Sequence, residues 1–233
     1  MHPQQPQEAA IKHAVELIFR IVLLAFIFLL WGWTLNAQLS SLMNLFIIVG
    51  GTLLTFPFVW FGRKMLDRNH STSSVTWITT FVHYALGISF GVPMIRAVIT
   101  SQDRSGWALP VPTEIGFPLV VITGGAFLVV VANLAIKGFG APFAIALSRK
   151  LAVDWLYAWT RNPMVLAGLA FLLSLGIWFQ SVPFVLWVLV LFTPALLYFL
   201  KEYEERELEF RFGPSYLNYK SRTPMLLPRR PMS

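Results

Sequence analysis

Between Met164 and Leu200 the chain carries no Asp, Glu, Lys, Arg or His. A helix crosses a ~30 Å hydrocarbon core with ~20 residues. Thirty-seven uncharged residues interrupted at Gln180-Ser181-Val182-Pro183 are therefore too many for one crossing and suit two short ones. A hairpin of that kind returns to the face it left. It brings Arg161-Asn162-Pro163-Met164 at its start toward an acidic cluster, Glu202 to Glu207, at its end. An arginine and paired carboxylates gathered at a bilayer surface form a candidate site.

The rest of the chain has the same character. Of 233 residues, 56% are hydrophobic and 12% charged, outside the balance of a soluble domain, so an all-α integral membrane protein is expected. Six apolar segments stand at roughly 18–36, 42–62, 75–99, 115–136, 164–180 and 184–200. They divide into about four N-terminal spans, residues 1–136, and a C-terminal region, 137–233, that holds the hairpin and the loops around it. Lys12, Arg20, Arg63, Lys64, Arg68, Lys137, Arg149, Lys150, Arg161, Lys201 and Arg206 all fall on one face of a six-span arrangement. By the positive-inside rule that face, with both termini, is cytoplasmic, in a bacterial inner membrane or the endoplasmic reticulum. The same placement accounts for the net charge of +7 without nucleic acid as a partner. The absence of cysteine removes thiolate chemistry and thiolate-held metal, and no metal site is expected.

Single residues within the spans call for local readings. Trp60, Trp77, Trp107, Trp155, Trp159 and Trp178 lie near span ends, where an aromatic belt places them. His83 falls inside the third span, and bonding to a neighbouring helix is the simplest account of it. Pro93 is expected to kink that helix, and Arg96 and Glu114 are close enough to span ends to snorkel.

The loops carry a more specific pattern. After the fourth span come Gly138-Phe139-Gly140-Ala141-Pro142-Phe143, Arg149-Lys150-Leu151-Ala152, Tyr157 and Arg161-Asn162-Pro163-Met164. After the sixth come Glu204-Glu205, Leu208, Phe212-Gly213, Tyr216, Tyr219, Pro224 and Pro228. In order and spacing these resemble the isoprenylcysteine carboxyl methyltransferase and phospholipid methyltransferase superfamily of membrane enzymes, over about residues 138–228. The resemblance implies S-adenosylmethionine bound in a pocket of cytosolic loops and helix ends. It assigns cofactor contacts to Arg149, Lys150, Leu151, Ala152, Tyr157, Asn162, Pro163, Met164, Val165 and Glu204.

Residue chemistry fits that assignment. A cofactor with a carboxylate, an ammonium, a sulfonium and an adenosine asks for carboxylates, a cation or backbone donors, and flat apolar surface. Glu204 suits the ammonium or ribose, Tyr157 the adenine, and Arg161 the carboxylate or an anionic acceptor. Glu205 is the candidate base if the acceptor is an amine. Arg161 and Glu205 are thus the expected catalytic pair, acting on a lipophilic small molecule or lipid-borne acceptor drawn from the membrane lipids.

The chain also departs from the pattern. Val165 stands where the family has tyrosine, the following glycine is displaced to Gly168, and Trp155-Leu156 replaces a glycine ahead of Tyr157. Pro142 stands at a glutamine position, and Leu200 at the position of an arginine that contacts prenylcysteine in the eukaryotic enzymes, with Lys201 the nearest replacement. A reductase of the membrane sterol-reductase type is one alternative, although no G-x-G-x-x-G opens a helix after a strand. A non-catalytic membrane protein is another. The sequence does not fix the oligomeric state.

Overall fold

The structure, a computed structural model, describes residues 4–69, 71–102, 107–136 and 151–230. The described chain is helical, with a single isolated bridge between Ala108 and Ser181. Helices α1 (Gln4–Asn36), α2 (Ser41–Leu53), α3 (Thr55–Arg68), α4 (Thr72–Ser101) and α5 (Thr113–Ile136) come first. Then follow α6 (Leu156–Trp159), α7 (Pro163–Trp178), α8 (Val182–Leu186), α9 (Thr193–Phe199), α10 (Glu205–Phe212) and α11 (Pro214–Arg222).

Five helical runs are long and apolar enough to span a membrane: Leu17–Asn36, Ser41–Arg68, Ser74–Ser101, Thr113–Leu134 and Val182–Phe212. The sixth expected span is α7, whose 16 residues rise only ~24 Å. The last helix corrects the expected boundary near Leu200. Its 31 residues rise ~46 Å, so the acidic cluster is carried out on the same helix and not on a loop.

Serine caps and prolines set the starts. Ser40, Ser71 and Ser181 each accept a hydrogen bond from the backbone N–H three residues on, and Pro183 occupies the first turn of α8, where its missing N–H costs nothing. Within the last helix, π-helical turns at Trp187–Phe192 and Leu200–Glu204 separate α8, α9 and α10. The first has a sequence cause. Pro194 offers no N–H to continue the α-helical ladder, and the Thr193 N–H and hydroxyl both turn to the Val188 carbonyl five residues back. The second ends at Glu204, where the Glu205 N–H reaches the Leu200 carbonyl.

Two hydrophobic clusters hold the last helix in place. On one side Val59, Leu66, Ile78 and Val82 from α3 and α4 enclose Phe199, Leu200 and Tyr203. On the other, Leu169 and Leu172 of α7 and Ala97 of α4 enclose Phe184, Trp187, Val188 and Phe192. Two polar contacts inside tie helices together: Trp187 Nε1 donates to Thr52 Oγ1 at 3.0 Å, and Thr79 and Tyr203 share a 3.0 Å hydroxyl contact. His83 differs from expectation, bonding at 2.8 Å to the carbonyl of Thr79 on its own helix, with its ring edge-on to Phe199. Pro93 lies inside α4, against Gly51 of α2, and Trp60, Trp77, Trp107, Trp155 and Trp159 are exposed.

Helix α5 packs along α7 through small residues. A Cβ on Gly116 would stand 2.5 Å from the Trp178 Cα, main chain that cannot swing away, and Gly124 and Gly168 face Phe171 and Phe127. Gly168, displaced from the expected family position, thus serves packing. The expected consequence is that Gly116→Ala costs about 1–3 kcal/mol through overpacking and lowers the melting midpoint in detergent. Gly125→Ala, with nothing within 4 Å, leaves the midpoint unchanged.

Candidate functional site

The hairpin places its two polar ends side by side. Arg161 Nη2 lies 2.6 Å from Glu205 Oε1, with both side chains about 10% exposed. That approach is off the hydrogen-bonding angle, leaving Glu205 Oε1 and Arg161 Nε buried without a hydrogen-bond partner among the described residues. The contact is therefore Coulombic, between groups withdrawn from water. Lys220 closes the other side, its Nζ 2.7 Å from Glu205 Oε2 and 3.0 Å from Glu209 Oε1. Burial alone would lower the Lys220 pKa, but the carboxylates of Glu205 and Glu209 outweigh it and raise the ammonium above its ordinary value.

The motif residues downstream build this arrangement. Gly213 takes φ +52°, a region open to glycine, and turns the chain from α10 into α11. On α11, Tyr216 is buried and the Tyr219 hydroxyl donates to the Tyr157 carbonyl at 2.6 Å. The segment after α11 then clasps the start of the hairpin. Arg161 N–H donates to the Pro224 carbonyl at 2.9 Å, and Thr160 Oγ1 and Asn162 Nδ2 donate to the Met225 carbonyl at 3.1 and 3.0 Å. Burial raises the pKa of both tyrosines.

Asn162 donates its Nδ2 to the Met225 carbonyl, and its side chain makes no cap on α7. Pro163 has no N–H, and the first main-chain hydrogen bond back to Asn162 comes from Leu166. The N–H groups of Met164 and Val165 at this helix start are left to an outside acceptor, in the positive field of the helix N-terminus. The Val165 side chain packs into the core, so only its backbone can serve the site.

Glu204 contrasts with its neighbour. No ion pair or hydrogen bond engages its half-buried carboxylate among the described residues. It acts on Tyr157, whose phenol is pushed up to about 12 by burial first and by the Glu204 charge second, and so stays a protonated donor. Leu151 and Ala152 are half-buried in the irregular segment ahead of α6, where Trp155 takes φ 54°. Arg149, Lys150, Lys137 and the Gly138–Phe143 stretch lie outside the described residues.

Several contacts go beyond the expected site. Lys220 is the main one, and its signal was its position one residue after Tyr219 on an amphipathic helix whose i, i+3 and i+4 positions share a face. Both Glu205 oxygens face cations, Oε1 the Arg161 guanidinium and Oε2 the Lys220 ammonium. Leu200 is 2% exposed in the core and Lys201 is exposed. On the outer side, Arg63 and Arg206 share Asp67 at 2.8 and 3.0 Å, and Arg63 Nη1 donates to the Glu202 carbonyl at 2.6 Å, tying α3 to the last helix.

Removing one partner of a buried pair leaves the other uncompensated. Glu205→Gln is expected to destabilise the protein by about 3–5 kcal/mol, read as a lower melting midpoint in detergent. Tyr219→Phe, which removes one hydrogen bond to a carbonyl, costs only about 0.5–1.5 kcal/mol.

Residues 113–215 match the sequence model of the phospholipid methyltransferase family, within the superfamily that includes the isoprenylcysteine carboxyl methyltransferases. The matched family is one of membrane methyltransferases. The matched stretch starts at Thr113, the first residue of α5, and takes in α7, the last helix and the turn into α11. No curated protein and no solved structure matched the chain.

Proposed function

We propose that the protein transfers a methyl group from S-adenosylmethionine to a lipophilic or lipid-borne acceptor at the cytoplasmic face of its membrane. The observation that carries this reading is the set of unspent groups where the hairpin ends meet. These are the Glu204 carboxylate, the free N–H groups at the start of α7, the unpartnered Arg161 Nε, and the protonated Tyr157 phenol beside them.

The donor set matches the cofactor's chemistry. Glu204, carrying no cation of its own, takes the amino-acid ammonium or a ribose hydroxyl. The Met164 and Val165 N–H groups, at a helix N-terminus, take the carboxylate, with Asn162 and Pro163 fixing the entry of the chain. Tyr157 offers a ring face and a hydroxyl to the adenosine, and Leu151 and Ala152 offer apolar surface next to it. Arg149 and Lys150, close in sequence, are proposed as further contacts. When bound, the cofactor supplies an electrophilic methyl on a sulfonium.

The chain's own residues then position and exclude. Arg161 is held against Glu205 and clasped through its backbone by Pro224, so its guanidinium cannot swing out of the site and its Nε can orient an anionic acceptor or the cofactor carboxylate. Glu205 is proposed as the positioning partner of Arg161. The apolar helices beside this corner keep water from it and admit an acceptor from the bilayer.

Calorimetry on the detergent-purified protein provides the test. S-adenosylmethionine is expected to bind in the micromolar range, with Glu204→Gln weakening it at least tenfold while leaving the melting midpoint unchanged. No measurable heat for the unaltered protein, or unchanged affinity in Glu204→Gln, would overturn the proposal.

A further inference from the structure

At the end of the bundle away from Arg161, the α1–α2 turn, the end of α4, the strand-like 107–109 segment and the hairpin turn line a half-open chamber of about 1170 Å³. That exceeds the ~300–1,000 Å³ typical of pockets that bury a drug-sized molecule. The loops around it are tied together: Leu109 N–H donates to the Gln180 carbonyl at 2.8 Å, Val182 N–H to that of Trp107 at 3.1 Å, and Gln180 Nε2 to that of Val111 at 2.7 Å. Its lining combines apolar side chains, among them Ile48, Trp187 and Leu191, with polar ones, among them Gln38, Asn44 and Gln180.

Arg96 lines this chamber and does not snorkel as its place near a span end suggested. It is 3% exposed, and Nε donates to Asn44 Oδ1 at 2.8 Å while Nη1 donates to the carbonyls of Thr34 and Ala37 at 2.9 and 3.0 Å. These acceptors are neutral. Among the described residues no carboxylate lies within ion-pair distance of it, and Nη2 has no protein partner. Among the described residues this guanidinium, held deep beside hydrocarbon, is matched only by neutral carbonyl and amide dipoles and keeps its positive charge available to a ligand.

We propose that this chamber is a second binding site, for an anionic amphiphile: a carboxylate or phosphate head group pairs with Arg96 Nη2 and an alkyl chain lies along Ile48, Trp187 and Leu191. Charge selects the head group, because a neutral one would leave the guanidinium unpaired. The apolar lining of Ile48, Trp187 and Leu191 selects the tail, because burying a hydrocarbon chain there removes apolar surface from water.

Native mass spectrometry of the full chain in neutral detergent tests this with four probes: oleate, dioleoylphosphatidylglycerol, monoolein and inorganic phosphate. Oleate or the phospholipid, or both, bind one per chain at least tenfold more tightly than monoolein, which has the same tail without charge, and phosphate binds at least tenfold more weakly than either. The tighter of the two identifies the source of the head group. Arg96→Lys keeps the preference over monoolein and Arg96→Gln removes it. Because Arg96→Gln also breaks the ties to the α1–α2 turn, Val49→Trp, which narrows the chamber and leaves those bonds intact, serves as a second variant and weakens binding at least fivefold. Monoolein binding as tightly as the better of oleate and the phospholipid, phosphate binding as tightly as that lipid, or full affinity in Val49→Trp would each refute the assignment.

Discussion

The contact between Arg161 and Glu205 is where the fold and the candidate chemistry meet. Both groups are withdrawn from water, and each is tolerable only because the other, with Lys220, is present. The pair forms only if α7 and the last helix leave from the same face, if the π-helical turn ending at Glu204 sets the register of Glu205, and if α11 folds back to deliver Lys220. The loop geometry downstream, from Gly213 through Tyr219 to Pro224, follows from serving that one arrangement.

The division between adjacent glutamates follows from the same constraint. Glu205 is committed to two cations, while Glu204, one residue earlier, has none. A helix that puts successive side chains about 100° apart can present one carboxylate to a structural pair and the next to a ligand. The unspent groups, Glu204, the first N–H groups of α7 and Arg161 Nε, are those that the ion-pair network does not need. The match to the phospholipid methyltransferase family covers this corner, and it begins at α5, the helix that packs along α7.

Much of this was legible in the sequence. The uncharged run and its Gln180-Ser181-Val182-Pro183 break defined the hairpin, and with it the meeting of Arg161 and the acidic cluster on one face, although their direct pairing came only from the structure. The spacing of Tyr216, Tyr219 and Pro224 marked one motif, although only the structure gave each residue its partner. Other features were hidden for physical reasons. Lys220 sits on a short helix whose approach depends on the turn at Gly213. The acidic cluster lies on a continued helix because apolar periodicity stops at the membrane edge while helical hydrogen bonding does not. Arg96 is 3% exposed because main-chain carbonyls at the end of α1 accept from it, and hydropathy carries no trace of such acceptors.

If the two ends of the hairpin form one cofactor pocket, a bound cofactor touches both. Ultraviolet cross-linking of methyl-labelled S-adenosylmethionine to the full chain, followed by peptide mapping, measures this directly. The account predicts label in peptides from both 151–166 and 203–206, displaced by excess unlabelled cofactor. Label confined to one of them, or found only elsewhere, would contradict it.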